Sequence, residues 1–283
     1  MGMVLGSVMS VALASQSEVP LPLDAPFERL SDPGSDGVTL VPRVDGGASL
    51  GIHPLASSPQ LWEGTGGADV TLVGIDDTAA VGGHLWVQTS ADGENDIHFR
   101  LTRLYYDAGL AFDRRIGNHQ AVRLGYRHRC SHGVDDVPGR ILIRSGPTLS
   151  WEAAWGETTV IRTTAGVEAT LIGQNLDFEF QPRALLNAGA GVSRPWGEGP
   201  VLIGAAAVGL FAVGTGTEEV WALGAPFGEV RMVPLPSAAV GLGTQGDDAA
   251  RLLLHVERIP DTGLGPAAQP VTLWSIRVEF GEG

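Results

Sequence analysis

From about residue 80 to the C-terminus, apolar and polar side chains alternate in segments separated by turn-forming residues. In 159–171, one face carries Ile161, Ala165, Val167, Ala169 and Leu171, and the other carries Arg162, Thr164, Gly166, Glu168 and Thr170. A period of two residues is typical of a β-strand with two different faces. The segments 141–155 and 178–192 repeat this pattern, so the chain is predicted to be all-β.

The composition of the polar face favours a barrel over a sandwich, although both folds alternate. Small residues separate charged ones of both signs, which suits a narrow lumen crossed by ion pairs. The charged residues on this face are Arg103, Asp107, Arg123, Arg127, Arg144, Glu152, Arg162, Glu168, Glu179, Arg183, Glu257 and Arg277. The pattern predicts a closed antiparallel transmembrane β-barrel of about ten strands, with a range of 8–12. A soluble exported β-sandwich is the alternative fold.

The N-terminal part of the chain lacks this alternation. Residues 1–14 form a short apolar stretch ending in Ala12-Leu13-Ala14, which predicts a signal peptide cleaved before Ser15. Residues 15–66 are rich in Pro, Ser, Asp and Gly and predict an irregular extension. The barrel is therefore predicted over 67–283.

Composition narrows the functional classes. The net charge of −14 argues against a nucleic-acid partner. Mean hydropathy is +0.11, yet no apolar run reaches the ~18 residues of a spanning helix. Helices and closed barrels are the architectures that satisfy every backbone donor in lipid, so a membrane location requires a barrel.

The last segment places Trp274, Ile276, Val278 and Phe280 on one face. It resembles the closing strand of bacterial outer-membrane proteins, although Gly281-Glu282-Gly283 follows the final aromatic residue. This resemblance implies insertion into the outer membrane by the barrel assembly machinery and contact with outer-membrane lipid or lipopolysaccharide. It also implies that the C-terminal strand finishes on the periplasmic side.

One segment, 125–136, stands out because it places potentially reactive side chains near a strand end. Alternation puts His128 and Cys130 on the lipid face and Arg127 and Arg129 in the lumen. A polar pair on a lipid-facing wall is costly, which makes it a candidate functional site.

The segment resembles the H-x-S motif of outer-membrane phospholipase A and of lipid A 3-O-deacylase. It also resembles a family of uncharacterised outer-membrane barrels that carries an H-x-S-S-H-x-x-D/E stretch. The first resemblance implies that His128 is a general base and that Cys130 or Ser131 is the nucleophile. Cys130 stands where the serine of the motif is expected, and Ser131 faces the lumen unless a bulge turns it outward. The following strand offers Ile141, Ile143 and Ser145 outward, without an acid or amide.

His132, Asp135 and Asp136 suggest a second interpretation, as a hydrogen-bonded cap or a cation site at the rim. Their spacing matches no specific metal motif, so no cofactor is predicted, and calcium is the one candidate ion. Two functions remain open for the barrel. One is a structural or envelope role with a narrow charged lumen; the other is acyl hydrolysis of outer-leaflet lipid.

Overall fold

The computed structural model describes most of the chain from residue 38 onward, together with Leu21. The described ranges are 21, 38–40, 43–53, 61–76, 78–93, 100–134, 141–175, 180–197, 199–216, 219–226, 228–244, 248–259 and 271–282. The predicted signal peptide, 1–14, lies outside them. No helix in these ranges is long or apolar enough to cross a membrane.

The described residues form fifteen β-strands. Their bounds are β1 Val38–Thr39, β2 Arg43–Ile52, β3 Trp62–Ile75, β4 Ala79–Asp92, β5 Arg100–Gly117, β6 Gln120–Gly133, β7 Leu142–Trp155, β8 Val160–Ala169, β9 Ile172–Asn175, β10 Phe180–Pro195, β11 Val201–Thr215, β12 Val220–Ala222, β13 Val230–Gly243, β14 Asp248–Ile259 and β15 Val271–Glu282.

These strands form one sheet that closes on itself. Each wall strand pairs antiparallel with its neighbours, and the last strand, β15, pairs with β2 to close the ring. β8 and β9 both pair with β7 and together make one wall strand, while β1 extends the line of β2 along β3. The barrel has twelve wall strands, within the predicted range of 8–12.

The two strands beyond the expected ten come from the N-terminal side. The predicted extension over 15–66 contains all of β2 and the start of β3, so the wall begins at Arg43 rather than near residue 67. The sequence of β2, RVDGGASLGI, alternates only weakly, because Gly46 and Ala48 interrupt the outward row of Val44 and Leu50. Pairing with β3 and β15 on both sides forms this strand despite its weak local pattern.

The barrel is apolar outside and polar inside. On β15, Trp274, Ile276, Val278 and Phe280 are exposed, whereas Ser275, Arg277 and Glu279 are buried, as alternation predicted. Exposed leucine, isoleucine and valine side chains cover the other wall strands as well. A soluble sandwich would bury its apolar faces between two sheets. The closed ring and its apolar exterior therefore favour the barrel over the sandwich alternative.

The connections at the two ends of the barrel differ in length. The turn end has short connections, such as 118–119 between β5 and β6. The loop end has longer ones, such as 216–229 between β11 and β13 and 260–270 between β14 and β15. Outer-membrane barrels have short periplasmic turns and longer external loops. The loop end accordingly corresponds to the outer surface, in agreement with the direction implied by the closing strand.

Candidate functional site

The lumen is packed with charged side chains from several strands. Arg127 contacts Asp107, and its Nη1 lies 3.1 Å from Oε2 of Glu168. Nε2 of His84 lies 3.1 Å from Oδ1 of Asp107, and Arg144 also reaches Glu168 at 3.6 Å. These contacts link neighbouring strands from β4 to β8 on the lumen side of the wall, so the predicted charged lumen with ion pairs is confirmed.

A second buried network lies where the barrel closes. Arg277 contacts Glu63 and donates a 2.9 Å hydrogen bond to Oε1 of Glu257. The ring of His53 lies 3.2 Å from Oε2 of Glu63 and donates from Nδ1 to the carbonyl of Trp274. Buried charges require compensation of this kind, because an uncompensated one is strongly destabilising.

The motif at 125–136 begins on a regular part of β6. The register between β6 and β7 runs without a shift from Gln120, opposite Ala153, to Ser131, opposite Leu142. Because no bulge interrupts the strand there, alternation holds to its end. His128 is exposed on the outer wall, and Arg129 is buried in the lumen.

The structure pairs His128 with a residue outside the motif. Ser145 lies directly opposite His128 in the β6–β7 register. Nδ1 of His128 is 2.7 Å from Oγ of Ser145, which is a short hydrogen bond. The outer wall therefore carries a histidine–serine dyad that joins two adjacent strands.

Cys130 shares the outward side of β6 but does not take part in the dyad. Its free thiol is 7% exposed, and the residues opposite it in the sheet are Tyr106 and Ile143. Among the described residues, Ser145 is the one side chain that hydrogen-bonds His128.

Ser131 lies on the other side of the wall. It is 5% exposed and is paired with Tyr105 and Leu142, and Tyr105 faces the lumen under the guanidinium groups of Arg103 and Arg129. The bulge that would turn Ser131 outward does not occur. His128 and Ser131 are therefore on opposite faces of one strand and are not brought together.

The proposed rim site is only partly described. The ring of His132 packs edge-on against Tyr106, with ring centroids 6.1 Å apart. Asp135 and Asp136 lie outside the described residues. Within the described ranges, His, Cys, Asp and Glu side chains form no group of three that could hold a metal ion.

Ser145 is the functional candidate that the motif did not indicate. Alternation along β7 already placed it outward, but the register that sets it opposite His128 depends on the loop between the strands. A strand register shifted by one residue would move Ser145 away from His128, and no local pattern in the sequence fixes that choice.

A closed antiparallel β-sheet with an apolar exterior and a charged lumen defines an outer-membrane β-barrel. No protein-family model matches the chain, and no curated protein matches it in sequence. Its fold is similar to that of LpxR from Salmonella typhimurium, with 10% identity, a TM-score of 0.49, and coverage of 84% of this chain and 99% of that chain.

Two further solved barrels are similar in fold. One is the TodX deltaS2S3 mutant monoaromatic hydrocarbon channel, with 9% identity, a TM-score of 0.45, and coverage of 96% of this chain and 97% of that chain. The other is the translocator domain of the autotransporter NalP from Neisseria meningitidis, with 11% identity, a TM-score of 0.38, and coverage of 89% and 90%. These are likenesses of fold.

Proposed function

We propose that this outer-membrane barrel hydrolyses an acyl ester of an outer-leaflet lipid at the His128–Ser145 dyad. The observation that carries the proposal is the 2.7 Å contact between Nδ1 of His128 and Oγ of Ser145 on the lipid-facing wall. A serine hydroxyl is a weak nucleophile unless a neighbouring base accepts its proton, and a histidine within hydrogen-bond reach is the usual base.

The reaction would proceed in two balanced halves. Oγ of Ser145 attacks the acyl carbonyl carbon, and His128 takes the hydroxyl proton at Nδ1. His128 then gives that proton to the leaving alcohol oxygen as the ester bond breaks, which leaves an acyl-serine. A water molecule, deprotonated by His128, cleaves the acyl-serine and returns both side chains to their initial state.

The position of the dyad supports a lipid substrate. His128 faces outward in the part of β6 closer to the loop end, where the wall meets the outer leaflet in the inferred orientation. Tyr106 and Tyr126 are exposed on the same face, and tyrosine is enriched at membrane–water interfaces. Outer-membrane lipid or lipopolysaccharide is therefore the partner that we propose for this surface, after insertion by the barrel assembly machinery.

A structural envelope role is the second candidate. It is supported by the ion pairs that line the lumen and by the absence, among the described residues, of an acid or amide bonded to His128. In this alternative, Ser145 serves to satisfy the histidine on an otherwise apolar wall.

Fatty-acid release from outer-membrane lipid vesicles by the purified full-length barrel distinguishes the two candidates. We expect release by the wild-type protein, and losses of at least about a hundredfold in Ser145→Ala and His128→Ala, since each change removes one half of the dyad. Ser131→Ala is the matched control, because that hydroxyl is on the lumen side.

The assay is run with and without calcium, and the folded state of each variant is verified by its heat-modifiable migration on a denaturing gel. If the folded wild-type barrel releases no fatty acid in either condition, the hydrolase proposal fails and the structural role stands. Equal losses in Ser131→Ala and Ser145→Ala would also contradict the dyad.

A further inference from the structure

A short strand from a loop-end connection lies close to the dyad. This strand, β12, belongs to the connection between β11 and β13, yet it pairs with β9, and β9 pairs with β7. At the height of the dyad, the wall therefore runs from β6 through β7 and β9 to β12. A connection from another part of the barrel thus supplies the wall beside Ser145.

Residues on five strands form one row across this part of the wall. Ala108 on β5 lies opposite His128, His128 opposite Ser145, Ser145 opposite Ile172, and Ile172 opposite Ala222. Side chains of directly paired residues project from the same face of a sheet. His128, Ile172 and Ala222 are exposed, so the row lies on the outer wall. We call these five residues the dyad row.

Two contacts hold β12 against β9. The side chain of Trp221 is 2% exposed and packs on Gly173, its partner in the sheet. The N–H of Leu223 donates a 2.6 Å hydrogen bond to the carbonyl of Leu171. Because Trp221 points inward, the next residue, Ala222, points outward. The outward residues of β12 are therefore a defined part of the wall next to the dyad.

The two sides of the dyad carry different exposed side chains. On the β12 side, the large ones are aliphatic: Ile172, Val220 and Leu223 are 53%, 58% and 70% exposed. The β5 side includes Tyr106 and Tyr126, which are exposed and have a hydroxyl at the tip of an apolar ring. The β12 side thus suits a hydrocarbon chain, and the β5 side suits a group that contains polar atoms.

The chemistry of the dyad assigns these sides to the two halves of an ester. In the proposed reaction, Nδ1 of His128 gives its proton to the leaving alcohol oxygen, so that oxygen must lie on the His128 side of Ser145. The acyl group stays bonded to Oγ of Ser145 and extends away from His128. In that direction, Ile172 and Ala222 lie one and two strands away, at a spacing of about 5 Å per strand.

We propose that Ile172 and β12 bind the acyl chain of the lipid substrate and that the alcohol part of the substrate lies over Ala108. The proposal rests on the proposed hydrolysis and specifies how the lipid is oriented at the same site. Ala222 then determines which chain lengths are accepted, because a chain longer than two strand spacings crosses it and a shorter chain does not. Its small side chain leaves room for the acyl chain between Val220 and Leu223.

The test compares two esters that share a leaving alcohol and differ in acyl length, p-nitrophenyl palmitate and p-nitrophenyl butyrate. With the purified full-length barrel, Ala222→Trp should lower the palmitate-to-butyrate ratio of kcat/KM at least about tenfold, because the indole blocks the longer chain. Ala206→Trp is the matched control, since Ala206 is exposed on the outer wall of β11, and it should leave the ratio unchanged. Ala222→Leu, which should shift the ratio in the same direction, covers the case in which Ala222→Trp does not fold.

The alcohol side is tested by Ala108→Trp. Because both esters release the same alcohol, this change should lower both rates by similar factors and leave their ratio unchanged. A lower ratio in Ala108→Trp together with an unchanged ratio in Ala222→Trp would reverse the orientation and overturn the proposal. An equal drop in Ala206→Trp and Ala222→Trp would also overturn it, since the effect would then be common to any tryptophan on the wall.

Failure of the acyl-binding role can be separated from failure of the hydrolase. If the wild-type barrel cleaves both esters and the folded Ala222 variants keep its ratio, the role of β12 is wrong and the dyad stands. If the folded wild-type barrel cleaves neither ester, the proposed hydrolysis is wrong and the orientation of the lipid is overturned with it.

Discussion

Arg277 on the last strand donates a 2.9 Å hydrogen bond to Glu257 on the preceding strand, and the two side chains are 4% and 1% exposed. The same guanidinium contacts Glu63 on β3, one strand beyond the seam where β15 pairs with β2. The two ends of the sheet are thus joined twice, by backbone pairing and by a buried cation shared between two carboxylates. Arg277 therefore links the strands on the two sides of the seam and neutralises two buried carboxylates there.

Replacing Arg277 should therefore weaken the whole barrel. Arg277→Ala leaves Glu63 and Glu257 buried without their cation, and we expect a loss of about 3–5 kcal/mol in the free energy of unfolding. Denaturant unfolding in lipid or detergent, followed by tryptophan fluorescence, measures this loss. Arg194→Ala is the matched control, since Arg194 is exposed at the turn end of β10, and its effect should stay within about 0.5 kcal/mol.

The sequence alone predicted part of this closing network. Alternation placed Glu257 and Arg277 in the lumen, because each is on the polar face of a strand with a clear apolar face. Glu63 was assigned to an irregular extension, because the glycine-rich residues around it show no apolar row. Its strand, β3, forms by pairing with β2 and β4 on either side, and the register of that pairing has no local signal in the glycine-rich sequence.

On the outer wall, too, the sequence predicted which face a side chain lies on but not which residue it contacts. The sequence correctly placed His128 outward and Ser131 inward, since both follow from the two-residue period of a regular strand. It could not pair His128 with Ser145, because the register of β6 and β7 depends on the connection between them. The sequence also did not indicate the apolar cluster that Leu185, Phe211 and Leu235 form in the lumen, since these residues lie on faces that elsewhere carry charge.

The loss of stability caused by a charge on the lipid-facing wall should distinguish a membrane barrel from a soluble one. Leu254 is 48% exposed in the middle of β14, and on a soluble protein Leu254→Arg would change stability little. In a bilayer it should cost about 2–4 kcal/mol, because the arginine must enter hydrocarbon. Glu219→Arg, on an exposed loop, is the control, and unfolding from lipid vesicles is the measurement. Equal effects of the two changes would contradict a bilayer around β14.

The packing of the Trp221 ring should depend on the absence of a side chain at Gly173. Trp221 on β12 is buried and pairs with Gly173 on β9, where any Cβ would overlap the indole ring. Gly173→Leu should displace the ring and lower stability by about 1–3 kcal/mol, as overpacking does. The change is followed by acrylamide quenching of Trp221 fluorescence, taken as the difference from matched Trp221→Phe proteins. Gly74→Ala is the control, since nothing lies within 4 Å of its added Cβ.

The His128–Ser145 contact can be tested independently of any activity. A double-mutant cycle with His128→Ala and Ser145→Ala should show a coupling of about 0.5–1.5 kcal/mol in unfolding free energy, the net contribution of one hydrogen bond. The cycle of His128→Ala with Ser131→Ala should show almost none, because those side chains point to opposite faces of β6. The coupling energy reports only the contact between the two side chains. If the coupling is found but no fatty acid is released, the dyad is a structural pair and the hydrolase proposal is wrong. A coupling energy of zero between His128 and Ser145 would show that the two side chains do not form a dyad.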